Sequence, residues 1–298
     1  MSTALLIPCH NAAVYLPRLF TTVAAQTRPF DEILCYDDAS TDDTAAVAAR
    51  LGAKVIRGEQ NRGPAHARNA LWRVTSADWV HFHDADDLLE PIYHEQVSAL
   101  ANDDTDVVIC SARWIRESDG STEMEWRYAG TELLAAPLDY LLSHPVGGIN
   151  GYYRRSVLDR IGGYDESLRI WEDADLHVRL AAAGARFAVA EEILVTAVRR
   201  PGSISTPVAE NWRCRLRALE HYAGTLPAAS RPTLLSEIDG AARELLRAGD
   251  PSSAHRAVAL SRSLGGNPPA SANTLIRLTR AAIGPIAAMH LQNLARRT

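Results

Sequence analysis

Trp79-Val80-His81-Phe82-His83-Asp84-Ala85-Asp86-Asp87 reads as a short strand that runs straight into a cluster of acids. Toward the N-terminus, three more strand-length runs precede it: Ala4–Ile7, Glu32–Tyr36 and Ala53–Arg57. Helical patterns fill the gaps between them. Leu16, Leu19, Phe20 and Val23 recur at helical spacing. Ser40-Thr41-Asp42-Asp43 reads as the cap of a helix to about Leu51. Another helix begins at Pro64, since proline is favoured at the first helical position. Strands alternating with helices of this length predict an α/β fold, a mostly parallel, Rossmann-like sheet with flanking helices. Ligands of such sheets bind at the carboxyl ends of the strands. That rule gathers Pro8–Asn11, Asp37-Asp38, Arg57–Asn61 and His83–Asp87 along one edge.

Toward the C-terminus the pattern changes. A helix is expected from Pro91 to near Asn102, then a buried strand over Asp106–Cys110 and a half-exposed strand over Ser121–Tyr128. Leu133–Leu142 looks helical, His144–Gly151 is a Gly-rich loop, and Ser156–Ile161 is a short helix ended by Gly162-Gly163. Glu172–Ala183 is a further helix, closed by Gly184. From about residue 206 only helices broken by proline and glycine are read, a helical C-terminal extension. The expected division is a catalytic domain over 1–205, with halves 1–90 and 91–205, and a helical region over 206–298.

Composition is that of an ordinary globular protein, 47% hydrophobic and 22% charged, so a sizeable core is expected. The net charge of −5 argues against nucleic-acid binding. The charge is unevenly spread: residues 206–298 carry +6 and residues 1–205 carry −11. Cys9, Cys35, Cys110 and Cys214 lie far apart without a CxxC pair, and no signal peptide or membrane-length apolar run is read. The expectation is reduced thiols in a cytoplasmic protein.

Three acidic constellations carry the chemistry. Asp84-Ala85-Asp86 places two carboxylates one residue apart, able to share a hard divalent cation that bridges diphosphate oxygens. The bland reading is a solvated loop. Asp37-Asp38, at the tip of the second strand, can accept a hydrogen bond from a base edge, while Ser40 to Asp43 cap the helix. Glu172-Asp173 opens a helix. Acids there are stabilised by the helix dipole alone, or one of them removes a proton from an acceptor hydroxyl, its pKa lowered by the same dipole.

These features, in this order, resemble family 2 of the GT-A glycosyltransferases. The match runs through Leu6-Ile7-Pro8-Cys9-His10-Asn11, Gln26-Thr27, Asp37-Asp38-Ala39-Ser40-Thr41-Asp42 and Asn61-Arg62-Gly63-Pro64-Ala65-His66-Ala67-Arg68-Asn69. It continues through Asp84-Ala85-Asp86-Asp87, Gly162-Gly163-Tyr164-Asp165-Glu166 and Glu172-Asp173-Ala174-Asp175-Leu176 to a late lid-like segment, Arg200-Pro201-Gly202-Ser203-Ile204-Ser205. The resemblance implies a GT-A fold and an inverting, single-displacement transfer from a nucleotide-sugar, UDP-sugar favoured, with Mn²⁺ or Mg²⁺. It implies a saccharide or lipid-linked glycan as acceptor. By motif, Asp173 is the base and Glu172 orients the acceptor. Pro8, Asn11, Asp38, Arg68, Asp84 and Ala85 line the nucleotide, and Asp86 holds the metal. Arg68 and the Arg199-Arg200 pair offset diphosphate charge, and Trp171 contacts the acceptor.

His81 and His83 share one strand face, where a packed histidine is the commoner reading and an added metal ligand the sharper one. Trp126, Tyr128, Tyr152 and Trp171 fall in the stretch where the resemblance places the acceptor site. Aromatic faces can stack on sugar rings, but core packing is the commoner use, and an acceptor role is favoured only for Trp171, which adjoins the proposed base. The basic segment 206–298, with its arginine-bearing run from Leu275 to Arg297, is read as a packing or dimerisation appendage. The alternative is peripheral contact with an inner membrane surface. A non-catalytic nucleotide-sugar or glycan binding protein on the same fold is the rival reading. Nucleotidylyltransferase and phosphatase readings fail because the first strand leads into Pro8-Cys9-His10-Asn11, with neither a Gly-rich basic loop nor the aspartates.

Overall fold

The computed structural model describes residues 1–200 and 208–267. The chain divides into two compact units, Met1–Ser203 and Ile204–Thr298. The first holds a mixed sheet. Its strands are β1 (Thr3–Cys9), β2 (Glu32–Asp37), β3 (Lys54–Arg57), β4 (Trp79–Phe82), β5 (Leu88–Leu89), β6 (Val107–Arg116), β7 (Thr122–Trp126), β8 (Gly151–Arg154) and β9 (Phe187–Arg199). They order as β3-β2-β1-β4-β8-β6-β9-β5, with β7 hydrogen-bonded to β6. β1 pairs in parallel with β2 and β4, β2 with β3, and β6 with β9. β8 runs antiparallel between β4 and β6. Most strands therefore point the same way, and their carboxyl ends share one edge.

Parallel strands covered by helices are buried on both faces and read as continuous apolar runs. β1 fits this, with Leu5, Leu6 and Ile7 fully buried. One core cluster joins Leu5, Ile7, Cys35 and Trp79 to Val108, Tyr152 and Leu194, so both halves of the first unit share a core. The flanking helices are α1 (Leu16–Ala24), α2 (Thr44–Arg50), α3 (Pro64–Val74), α4 (Tyr93–Leu100), α5 (Gly130–Ala135), α6 (Pro137–Ser143), α7 (Arg155–Ile161) and α8 (Glu172–Ala182). The second unit contains α9 (Val208–Thr225), α10 (Arg231–Arg247) and α11 (Pro251–Ser263). The four cysteines are free and buried.

Several boundaries differ from the sequence reading for identifiable reasons. The helix expected over Leu133–Leu142 is two, because Pro137 has no N–H to continue one and instead opens α6. Asp43, at the N-cap of α2, makes no side-chain capping hydrogen bond; the Asp42 carboxylate accepts from the Thr44 amide at 3.0 Å, and the Ser40 hydroxyl accepts from the Asn11 amide at 2.9 Å. β8 begins on Gly151, the last residue of the expected Gly-rich loop, and neither β8 nor β9 has a counterpart in the sequence reading. α7 ends as expected, on Gly162 in the left-handed region at φ 76°.

Candidate active site

The turn after β4 carries Asp84 to Asp87, and burial sorts the four residues. Ala85 belongs to the core cluster. Asp87 is buried and accepts from the Val198 amide at 2.8 Å, tying the turn to β9; burial raises its carboxyl well above the usual range. That leaves Asp84 and Asp86, whose side chains are 38% and 29% exposed. An Arg68 guanidinium nitrogen lies 2.7 Å from Asp84 Oδ1. The Arg200 guanidinium rests against the Asp86 carboxylate and over the Tyr15 ring, 3.8 Å from its centroid. Arg199, its neighbour, turns the other way: it stacks over Trp114 at 5.1 Å and approaches Glu123.

Among the described residues, no three His, Cys, Asp or Glu side chains converge into an all-protein metal cage. Two hard carboxylates on one turn nevertheless suit a small divalent cation, which commonly takes one or two carboxylates and completes its shell with water and substrate phosphates. Arg200 already places a positive charge on Asp86. His83 is fully buried with Nδ1 3.1 Å from His81 Nε2, and burial lowers it to about 4, as a packed neutral imidazole. His81 is likewise held, 2.9 Å from the Gly151 carbonyl and 2.7 Å from the Tyr93 hydroxyl.

The tips of β1 and β2 form the next stretch of the edge. Register places Pro8 beside Tyr36 and Cys9 beside Asp37. Asn11 and Ala39 both take positive φ, 49° and 56°. The Asn11 side-chain oxygen accepts from the Thr41 amide at 2.9 Å, bolting the two turns together. The Asp38 carboxylate is 3% exposed and accepts from the Arg62 and Gly63 amides at 3.0 and 2.7 Å. It therefore anchors the loop leading into α3, leaving only its remaining lone pairs for a base.

α3 then connects this edge to the second half. Asn69 pairs with the Tyr164 backbone through both of its side-chain polar atoms, at 2.8 and 2.9 Å. Gly163 sits against it at φ 76°, where a Cβ would meet Asn69 Oδ1 at 2.5 Å, so the second glycine of the pair is required. Arg68, one residue earlier, is buried. It reaches Glu172 at 2.7 Å as well as Asp84, so one guanidinium bridges the two acidic constellations. The sequence reading placed Arg68 toward the diphosphate; both of its terminal nitrogens are instead committed to carboxylates.

Asp173 stands next to Glu172 at the start of α8. Its carboxylate accepts from the Gly148 amide at 3.0 Å and the Ala174 amide at 2.7 Å. The helix dipole was expected to lower its pKa. Burial outweighs the Arg68 charge and the amide donors, and Asp173 is raised. Burial likewise lifts Glu172 to about 7, with the Asp173 charge adding and Arg68 opposing. Trp171 precedes the pair at φ 74°, a position rare for a bulky residue. Among the described residues, the three non-glycine residues with positive φ thus lie on this crevice edge, where backbone strain tends to collect. Tyr128 and Tyr152 are buried. Gly147-Gly148 was missed as part of the site; its signal was the glycine pair itself, which permits close approach to Arg68 and Asp173.

A mostly parallel sheet whose carboxyl edge joins an Asp-Ala-Asp turn to an acidic helix N-terminus is the architecture of a GT-A glycosyltransferase. Residues 4–162 match the model of Glycosyl transferase family 2, and the chain belongs to that family. It is 31% identical over 220 residues to the succinoglycan biosynthesis protein ExoU of Rhizobium meliloti (strain 1021), covering 67% of this chain and 63% of the relative. The chain thus spans somewhat less than two thirds of that relative. An uncharacterized glycosyltransferase of Haemophilus influenzae is 24% identical over 233 residues, 76% of this chain and 79% of its own. Among solved structures, S. aureus TarS in complex with UDP-GlcNAc aligns with TM-score 0.60 at 19% identity, covering 89% of each chain. The mannosyltransferase PcManGT from Pyrobaculum calidifontis, in complex with GDP-Man and Mn²⁺, aligns with TM-score 0.63 at 18% identity, covering 99% of this chain and 88% of its own.

Proposed function

We propose that the chain is an inverting glycosyltransferase that moves a sugar from a nucleoside-diphosphate donor, a UDP-sugar first, to a hydroxyl of a saccharide or lipid-linked glycan. The observation that carries this reading is the Arg68 bridge between Asp84 and Glu172, which sets a phosphate-side acid and an acceptor-side acid on one guanidinium. ExoU and TarS support it, the first by its role in succinoglycan biosynthesis and the second by its bound UDP-GlcNAc. PcManGT, with GDP-Man, keeps the guanine nucleotide as the competing donor.

In this reading Asp86, with Asp84 beside it, holds Mg²⁺ or Mn²⁺. When bound, that ion supplies positive charge to the diphosphate as it leaves. Asp173 takes the proton of the acceptor hydroxyl as the oxygen attacks the anomeric carbon and the bond to the diphosphate oxygen breaks. A raised pKa makes Asp173 the stronger proton acceptor, and the Gly148 amide keeps one of its oxygens oriented. Glu172, held by Arg68, orients the acceptor. Pro8, Asn11, Asp38 and Ala85 line the nucleotide, and Arg200, whose guanidinium lies against Asp86, would offset the charge of the diphosphate.

We place the activity in the cytoplasm, over a catalytic domain ending near residue 205. None of the described helices is long and apolar enough to cross a membrane. The run from Leu275 to Arg297, on which peripheral membrane contact rested, lies outside the described residues. A thermal-shift panel of UDP- and GDP-sugars, with and without Mn²⁺, tests the reading. A metal-dependent shift accompanied by release of nucleoside diphosphate is expected. Binding without release from any donor would favour the non-catalytic binding protein instead.

A further inference from the structure

The β6–β7 hairpin carries aromatic residues, Trp114 and Trp126, that stand outside the proton transfer and the donor side. Register sets Trp126 opposite Ala112 and Met124 opposite Trp114, so Trp114, Met124 and Trp126 share one face of the ribbon. The two indoles lie 5.3 Å apart between centroids, tilted at 57°, and both are only partly buried. The Trp126 N–H points at the Met124 sulfur at 3.2 Å, a weak acceptor. Arg199 lies over the Trp114 ring, while Glu125 alternates to the other face of the ribbon, opposite Arg113.

The position of this face matters more than its composition. A Cβ built on Gly147 would stand 4.0 Å from the edge of the Trp126 ring and 3.9 Å from Asp173 Oδ2. A single residue without a side chain therefore separates the indole from the carboxylate assigned as the base. We propose that Trp126, backed by Trp114, is the platform on which the accepting sugar ring stacks, so that the acceptor's terminal unit is a saccharide. A pyranose offers an apolar C–H face to an indole and hydroxyl acceptors to its N–H. A bare aliphatic alcohol would need an enclosed apolar trough, whereas these two indoles are partly exposed and Arg199 lies across one of them. The proposal rests on the glycosyltransferase reading, and on Asp173 as base.

The test uses the full chain loaded with UDP and Mn²⁺, with methyl β-glucopyranoside, methyl β-galactopyranoside and N-acetylglucosamine as probes in saturation-transfer NMR. At least one sugar should receive saturation on its ring C–H protons from the wild type. Trp126→Leu, which keeps an apolar side chain on the edge strand, should weaken that sugar's binding about ten-fold, while Trp126→Phe loses less. The thermal midpoint should stay within a few degrees of wild type in both variants, so that a lost sugar signal reports the stacking surface and not the fold. Equal sugar binding by Trp126→Leu overturns the proposal, as does the absence of any sugar signal from the wild type. If wild type releases no UDP from any donor yet binds sugar through Trp126, the glycosyltransferase reading fails and the stacking surface stands.

Discussion

Two acidic pairs meet at Arg68, and the fold treats them in opposite ways. Asp84 and Asp86 sit on a turn that solvent reaches, and each already has an arginine against it. Glu172 and Asp173 sit at a helix start where burial raises both carboxyls, Glu172 to about 7. An accessible pair that attracts positive charge is suited to holding a cation and a diphosphate. A desolvated pair with raised proton affinity is suited to moving a proton. The same residue types thus acquire different chemistry from their surroundings alone.

The largest expected effect separates the pairs by function. Asp86→Ala should abolish the Mn²⁺-dependent thermal shift and cut turnover about 10³-fold. Asp173→Asn should lose about 10² to 10⁴-fold in turnover while keeping that shift. Asp173→Asn with normal turnover would remove the base assignment, and Asp86→Ala with an intact shift would remove the metal assignment.

Arg68→Met attacks the link itself. It leaves Glu172 buried without its partner, which should cost about 3 kcal/mol in a urea titration. A loss below about 0.5 kcal/mol would mean that Arg68 holds nothing together. A pH series then isolates the buried pair. The folded chain keeps a proton on Glu172 up to about 7, whereas the free carboxyl releases it near 4.5. The native state therefore binds more protons across that window, and stability should fall as pH rises through it, by at most about 3 kcal/mol. Glu172→Gln should flatten this slope, and an unchanged slope would place the titration elsewhere. The smallest effect belongs to the backbone on the accessible side. Ala39→Gly relieves a left-handed residue but adds unfolded-state freedom, so the stability change should stay within about 1 kcal/mol by chemical denaturation.

Much of the first half was legible because its information is local. Each of β1 to β4 is a short apolar run ended by polar residues. Proline marks the start of α3, and the acids after β4 are contiguous. The second half hid more. β9 pairs with β6 across some eighty residues, and β8 owes its strand to β4 on one side and β6 on the other. Gly147 lies between the Trp126 face of β7 and Asp173, with a Cβ there 4.0 Å from the ring and 3.9 Å from the carboxylate. Spacing along a chain carries no such distances. The sign of the Asp173 shift was misjudged for a related reason: a dipole is a property of one helix, while desolvation depends on everything packed around it.

By itself, then, the sequence determined the alternation of strands and helices, the edge on which the acids collect, and the order of motifs that resembles family 2. Those follow from periodicity and from residues adjacent in the chain. Only the tertiary structure decided that Arg68 is a buried bridge, that Asp38 holds a loop through backbone amides, and that Arg199 and Arg200 point apart. Charge pairing, burial and amide donation depend on groups brought together from distant parts of the chain, and their energies exist only once the chain has folded.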